Sequence, residues 1–243
     1  MAEKIYFTSL KGGTGVTTCA AGIALALAAA GERTLLLDGD REASCALDAV
    51  GCSGLATYTL ADVEKGACRA KQAVISHPRS PNLYIFPTQG CQNVLSADAA
   101  LKQIEGTFDY VVCDKCAGSC CDRAIVVCEP YALSVKSADR CLSALKDGGF
   151  KRVELIVNKV NGGLIMSGEI MTPQEIAALL RCGLSAVIPE DLEIPLGRMK
   201  SASVKAFKIA AQKISGKGDK IYGVIKQYLG VGGFIRRKMR NRL

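Results

Sequence analysis

Short runs of consecutive apolar residues recur along the chain, separated by stretches with helical spacing. Residues 4–9, 33–38, 83–87, 110–114, 124–128, 152–158 and 185–188 read as strands. Their apolar character is continuous rather than alternating, which predicts strands covered on both faces. Helical patterns occupy residues 17–30, 98–104, 137–146 and 173–181, and another begins at Ser201. Gly31 supplies a stop for the first helix. Strands alternating with helices predict an α/β fold, a mostly parallel sheet with helices on both faces. No repeat and no low-complexity linker precedes Gly216, and Gly223, Gly230, Gly232 and Gly233 then break the helical pattern. The expected organisation is one body over residues 1–216 and a C-terminal helical tail over 217–243.

Composition adds exclusions. Nearly half of the 243 residues are apolar, which rules out a disordered chain. The longest apolar run, residues 19–31, is too short to span a bilayer as a helix. The first residues lack the apolar stretch of a signal peptide, so a cytoplasmic protein is expected. The net charge of +8 is uneven: residues 217–243 hold eight basic and one acidic side chain, leaving the body nearly neutral. Trp is absent and His77 is the single histidine, which excludes histidine-based catalysis and multi-histidine metal sites.

The segment Lys11-Gly-Gly-Thr-Gly-Val-Thr-Thr18 follows a predicted strand and opens a predicted helix. In that setting Gly12, Gly13, Thr14 and Gly15 let the backbone wrap phosphates, with N–H groups aimed at the anion. Val16, Thr17 and Thr18 begin the helix, whose dipole favours negative charge. The Thr17 hydroxyl can reach a Mg²⁺ bound to the phosphates.

This loop resembles the deviant Walker A motif of the MinD/ParA family of P-loop ATPases. Further motifs extend the resemblance over most of residues 3–200: Leu35-Leu-Leu-Asp-Gly-Asp40, Phe108-Asp-Tyr-Val-Val-Cys-Asp114, Ala124-Ile-Val-Val-Cys-Glu-Pro130 and Ile156-Val-Asn-Lys159. It implies a P-loop NTPase fold binding ATP or ADP with Mg²⁺. It implies that Lys11 reaches across a nucleotide-dependent homodimer and that Asp40 orients the attacking water. It also implies Mg²⁺ at Thr17, Asp38 and Asp114, mostly through water, and adenine at Asn158.

Two departures matter. Val16 stands where the family has a second lysine, which would stabilise phosphate charge in the transition state. Losing such a contact costs a few kcal/mol, so weak or absent hydrolysis is expected unless another cation substitutes. Lys115 is one candidate substitute. About nine residues usual after the Ala117-Gly118 pair are also missing, which shortens a switch segment used in dimer and partner contacts.

Cys113, Cys116, Cys120 and Cys121 fall close together, with Cys113-x-x-Cys116 at metal-ligand spacing. The other eight of the twelve cysteines are scattered, and Cys113 sits on a predicted buried strand, so buried filler is the favoured reading.

The chain ends in Gly233-Phe-Ile-Arg-Arg-Lys-Met-Arg-Asn-Arg-Leu243. As a helix it places Phe234, Ile235, Met239 and Leu243 in an apolar stripe, with Arg236, Arg237, Lys238 and Arg240 around it. Such a piece suits an anionic membrane surface. A basic tail also binds DNA phosphates, but that needs no apolar stripe. The resulting expectation is an ATP-binding spatial regulator of cell division (septum placement), peripheral on the inner face of the cell membrane. The alternatives are a non-hydrolysing localisation factor for a pilus or secretion system, and a DNA-partition ATPase.

Overall fold

The computed structural model describes residues 2–39, 45–89, 94–116 and 121–225. Asp40, the Ala117-Gly118 pair, Cys120 and the proposed membrane residues Phe234, Ile235, Arg236, Arg237, Lys238, Met239, Arg240 and Leu243 lie outside them.

The strands are β1 (Glu3–Thr8), β2 (Thr34–Asp38), β3 (Ile75–Ser76), β4 (Leu83–Pro87), β5 (Tyr110–Asp114), β6 (Arg123–Cys128), β7 (Val153–Val160) and β8 (Gly183–Pro189). They form one sheet in the order β3-β4-β2-β5-β1-β6-β7-β8. Every pairing is parallel except that of β3 with β4. The α/β reading therefore holds. The two-residue edge strand β3 escaped the sequence pattern because so short a run carries no apolar signature.

The helices are α1 (Val16–Ala29), α2 (Cys45–Ala49), α3 (Leu60–Glu64), α4 (Ala70–Ala73), α5 (Val94–Ile104), α6 (Ala132–Asp147), α7 (Gly162–Met166), α8 (Pro173–Leu179) and α9 (Ser201–Ile214). Helix α6 starts five residues before its predicted position, directly after Pro130 and Tyr131. Helix α8 starts where predicted because Thr172 and Glu175 form a capping box around Pro173. The short helices α2, α3, α4 and α7 are too brief to show a period.

The continuous apolar runs are explained by two covered faces. Leu36, Val112, Ile125, Val127 and Ile156 point into one core with α1 and α9. Their neighbours Leu35, Leu37, Val111 and Cys113 face α5, while Val126, Leu155 and Val157 face α6 and α8. Side-chain alternation along a strand thus feeds both layers. Helices α1 and α9 approach so closely that a Cβ on Gly22 would stand 2.6 Å from the Phe207 ring.

Two polar networks are built into this frame. Arg123, at the start of β6, is buried and pairs with Glu154 on β7, and its Nη1 donates to the Ile214 carbonyl oxygen at the end of α9 (3.1 Å). Asp191, just after β8, accepts from the Lys200 backbone N–H (2.8 Å) and the Ser203 hydroxyl (2.7 Å), fixing the start of α9. His77 is buried: its Nδ1 accepts from the Arg79 N–H, so Nε2 donates to the Val50 carbonyl oxygen at 2.9 Å. It is a loop staple.

After α9 the chain turns back. Lys217 pairs with Glu32, and Val224 is buried against the α6–α8 layer. Ile221, Tyr222, Val224 and Ile225 therefore pack on the body. Among the described residues, no helix is long and apolar enough to cross a membrane.

Candidate functional site

Strand β1 lies inside the sheet, with β2, β3, β4 and β5 on one side and β6, β7 and β8 on the other. The C-terminal ends of strands at such a division form a crevice where ligands bind in open α/β sheets. The Lys11–Thr18 loop leaves β1 there and enters α1. Gly13 and Gly15 adopt φ of 78° and 87°, the left-handed region that glycine enters without strain. Gly15 is also the N-cap of α1, so the loop delivers free backbone N–H groups at a helix N-terminus.

Val16 opens α1 but is only 7% exposed and packs in the core with Ile5 and Phe7. Thr17 and Thr18 are half-buried. The Thr14 hydroxyl is buried in the loop without a hydrogen-bond partner.

The acidic residues come from neighbouring strand ends. Asp38 and Asp114 are paired residues of β2 and β5, and Phe7 of β1 is level with Asp114. Both carboxylates are buried. Asp38 Oδ2 accepts from the Ala46 and Leu47 N–H groups at 3.0 and 3.2 Å, so this side chain caps α2. Gly39 is obligatory beside them: a Cβ there would stand 2.1 Å from the Asp114 carbonyl oxygen. Cys19, one turn into α1, has its thiol pushed up by burial and by the Asp114 charge.

Asn158 comes from the other half of the sheet. Its Nδ2 donates to the Thr14 carbonyl oxygen at 2.8 Å. The next residue, Lys159, donates from Nζ to the Gly13 carbonyl oxygen at 2.6 Å. Lys159 also pairs with Glu129 Oε1 at 2.8 Å, while Lys11 pairs with Glu129 Oε2 at 2.7 Å. Glu129 is held by its own backbone N–H, which donates to the Ser134 hydroxyl at 2.9 Å. Burial pushes the Glu129 carboxyl up, but the two lysines outweigh it and hold it below its ordinary value.

Sequence reasoning placed Lys11, Asp38, Asp114, Thr17 and Asn158 here, and the fold brings them to one end of the sheet. It missed Glu129 and Lys159. Each directly follows a predicted strand, but strand order and the left-handed backbone at Lys159 are what bring them to the loop. Lys115, one candidate substitute cation from the sequence, is exposed in left-handed conformation after β5.

Around the cysteine group, Cys113 and Cys121 bring their sulfurs to 3.9 Å. Among the described residues, no cluster of three or more His, Cys, Asp or Glu side chains is set to hold a metal. A groove of about 660 Å³ runs from Thr17 and Thr18 along α1 to Ile194 and Arg198, within the size range of small-molecule pockets.

Residues 5–204 match the family described as CobQ/CobB/MinD/ParA nucleotide binding domain. A septum site-determining protein MinD of Guillardia theta is 32% identical over 205 residues, covering 79% of this chain and 76% of that protein. Among solved structures, the MinD cell division protein of Aquifex aeolicus superimposes with a TM-score of 0.82 at 24% identity, covering 90% of this chain and all of that one. The Pyrococcus horikoshii septum site-determining protein MinD complexed with Mg-ADP gives 0.76 at 24% identity, over 88% of this chain and 96% of that one. A glycine loop at the head of α1, two carboxylates on adjacent strand ends and this match over most of the chain lead to one assignment: the protein is a divergent member of the MinD/ParA branch of the CobQ/CobB/MinD/ParA nucleotide-binding family.

Proposed function

We propose that the chain binds ATP and ADP with Mg²⁺ and acts as a MinD-like spatial regulator of cell division. The observation that carries nucleotide binding is the loop between β1 and α1. It presents helix N-terminal N–H groups and a buried Thr14 hydroxyl that lacks a partner. In this reading Gly12, Gly13, Thr14, Gly15, Val16, Thr17 and Thr18 wrap the phosphates, and Asn158, which also braces the loop at the Thr14 carbonyl oxygen, contacts adenine. Thr17, Asp38 and Asp114 would hold Mg²⁺, mostly through water. Bound Mg²⁺ would neutralise phosphate charge.

Lys11 and Asp40 take the roles of cross-dimer contact and water orienter. Leu10, next to Lys11 in the chain, and Leu133, next to the Ser134 that holds Glu129, are 62% and 78% exposed, apolar side chains suited to a second copy of the chain. The tail residues 234–243 would then hold the pair on an anionic membrane at the inner face of the cell membrane, two weak anchors acting together.

A second reading is a factor of the same fold that binds nucleotide without turning it over. Burial of Val16 in the core favours it, because no ammonium projects from that position. Phosphate release measured beside Val16→Lys separates the two. Turnover in the variant at least about a hundredfold above wild type supports the non-hydrolysing reading, whereas robust wild-type turnover supports the ATPase reading. Absence of ATP binding overturns both.

A further inference from the structure

Strands β5 and β6 are consecutive in the chain but not neighbours in the sheet, because β1 lies between them. The connection from Asp114 to Arg123 therefore crosses β1. Its far end is pinned there: the Asp122 N–H donates to the Lys4 carbonyl oxygen at 3.0 Å, and Asp122 Oδ2 accepts from the Lys4 N–H at 3.0 Å. The residue before it, Cys121, joins the apolar layer that holds Cys113, together with Tyr6 and Cys116. Cys113 is fixed by β5, opposite Tyr6 of β1 and Leu37 of β2. The two sulfurs stand 3.9 Å apart, although the residues are 8 positions apart in the chain. Their exposure differs: Cys113 is 1% exposed, whereas Cys121 is half-buried.

We propose that Cys121 and Cys113 are a dithiol pair that a peroxide oxidises to a disulfide, with Cys121 oxidised first and Cys113 as the resolving thiol. The order follows from access, because of the two sulfurs Cys121 is the one that solvent reaches. In the first step the Cys121 sulfur attacks the peroxide. An S–O bond forms, the O–O bond breaks, and the thiol proton leaves with the released oxygen as water. In the second step the Cys113 sulfur attacks the sulfenic sulfur of Cys121. The S–S bond forms, the S–O bond breaks, and the hydroxyl leaves with the Cys113 proton as a second water. Two thiols are oxidised and one peroxide is reduced. The sulfurs need to close only about 2 Å to reach bonding distance. A resolving thiol already in contact captures the sulfenic acid before a second peroxide does. The ring so closed contains Asp114 and the Ala117-Gly118 pair, so the modification falls on the segment that leaves the candidate site. The chemistry of the pair is independent of nucleotide binding.

The test treats the reduced full chain with hydrogen peroxide, blocks remaining thiols with iodoacetamide and maps tryptic peptides by mass spectrometry. Thermal melting confirms that each variant is folded. The wild type is expected to join peptides 103–115 and 116–123 through a bond that dithiothreitol reverses. The link should persist in Cys116→Ser with Cys120→Ser and be lost in Cys121→Ser. In Cys113→Ser, Cys121 should accumulate as a sulfenic acid trapped by dimedone, severalfold above the wild type. Cys113→Ala repeats this trap without a buried hydroxyl. In Cys121→Ser the Cys113 thiol should stay reduced. Absence of the link in peroxide-treated wild type overturns the proposal, as does a link that survives Cys121→Ser. A bond between two copies of the chain in place of the internal one overturns it too. Dimedone capture at Cys113 in Cys121→Ser overturns the assigned order.

Discussion

Asn158 and Gly15 are locked together: the Asn158 amide nitrogen would lie 2.4 Å from a Cβ placed on Gly15, while it donates to the Thr14 carbonyl oxygen. The loop's shape is therefore held from outside, by a strand on the far side of β6, as well as by its own glycines. Gly15→Ala should be severe, because the new methyl meets both a left-handed backbone and this amide. Loss of ATP binding and a destabilisation of about 1–3 kcal/mol are expected by calorimetry and urea unfolding. Gly12→Ala is the control, since a Cβ there has open space and no left-handed backbone to strain. It should unfold like the wild type.

The seam between α1 and α9 gives a second expectation. Gly22 touches the Phe207 ring with no room for a methyl group. Gly22→Ala should cost about 1–3 kcal/mol through overpacking, read as a lowered urea midpoint with an unchanged slope. Pairing it with Phe207→Leu should recover part of the loss. An additive double variant would show that the contact is not the cause.

Much of this frame was legible in the sequence, and the reason is specific. Leu35, Leu36 and Leu37 alternate between two covered faces, so the β2 run is apolar throughout and announces a buried parallel strand. The helical spacing that begins at Pro173 announces α8. What was not legible depends on neighbours across the sheet. Arg123 looks like a surface arginine until β6 is placed beside β7 and its guanidinium meets Glu154. Lys159 looks like a solvated lysine until the left-handed turn of its own backbone aims it at Gly13. Strand order and backbone handedness decide both, and neither is written in a local pattern.

The buried Arg123–Glu154 pair sets a pH dependence. Burial pushes the Glu154 carboxyl up, but the Ser185 hydroxyl and Arg123 outweigh it and leave it below its ordinary value. A carboxylate depressed in the folded state stabilises the fold above its unfolded pKa of roughly 4.3, and that stability is lost as pH falls through the folded value. Asp191, held down by Ser203 and the Lys200 and Glu193 N–H groups against the opposing effect of burial, acts in the same direction. Urea unfolding between about pH 6 and pH 3 should therefore show falling stability, with a shallower fall in Glu154→Gln. Arg123→Ala should lower stability at neutral pH, because Glu154 then keeps only the exposed Arg152 and the Ser185 hydroxyl as partners.

The cysteines predict a pattern of reactivity. Burial, followed by the charges of Cys182 and Glu129, pushes the Cys128 thiol up to about 12. Cys19 is fully buried and pushed up as well. Thiolate is the reactive form, so both should resist iodoacetamide in the folded protein and label only on unfolding. Peptide mapping of native and urea-treated samples checks this. Labelling of Cys19 in the native state would show that the base of α1 opens.

In the proposed function, one nucleotide-binding body governs attachment of the chain to a membrane through residues 234–243. Co-sedimentation with anionic liposomes tests it directly, using the full chain and a chain lacking residues 234–243, each with Mg-ATP and without nucleotide. The full chain should pellet with vesicles in Mg-ATP and remain largely in solution without it, and the truncated chain should stay in solution in both. Pelleting that ignores nucleotide, or that survives the truncation, would contradict the claim.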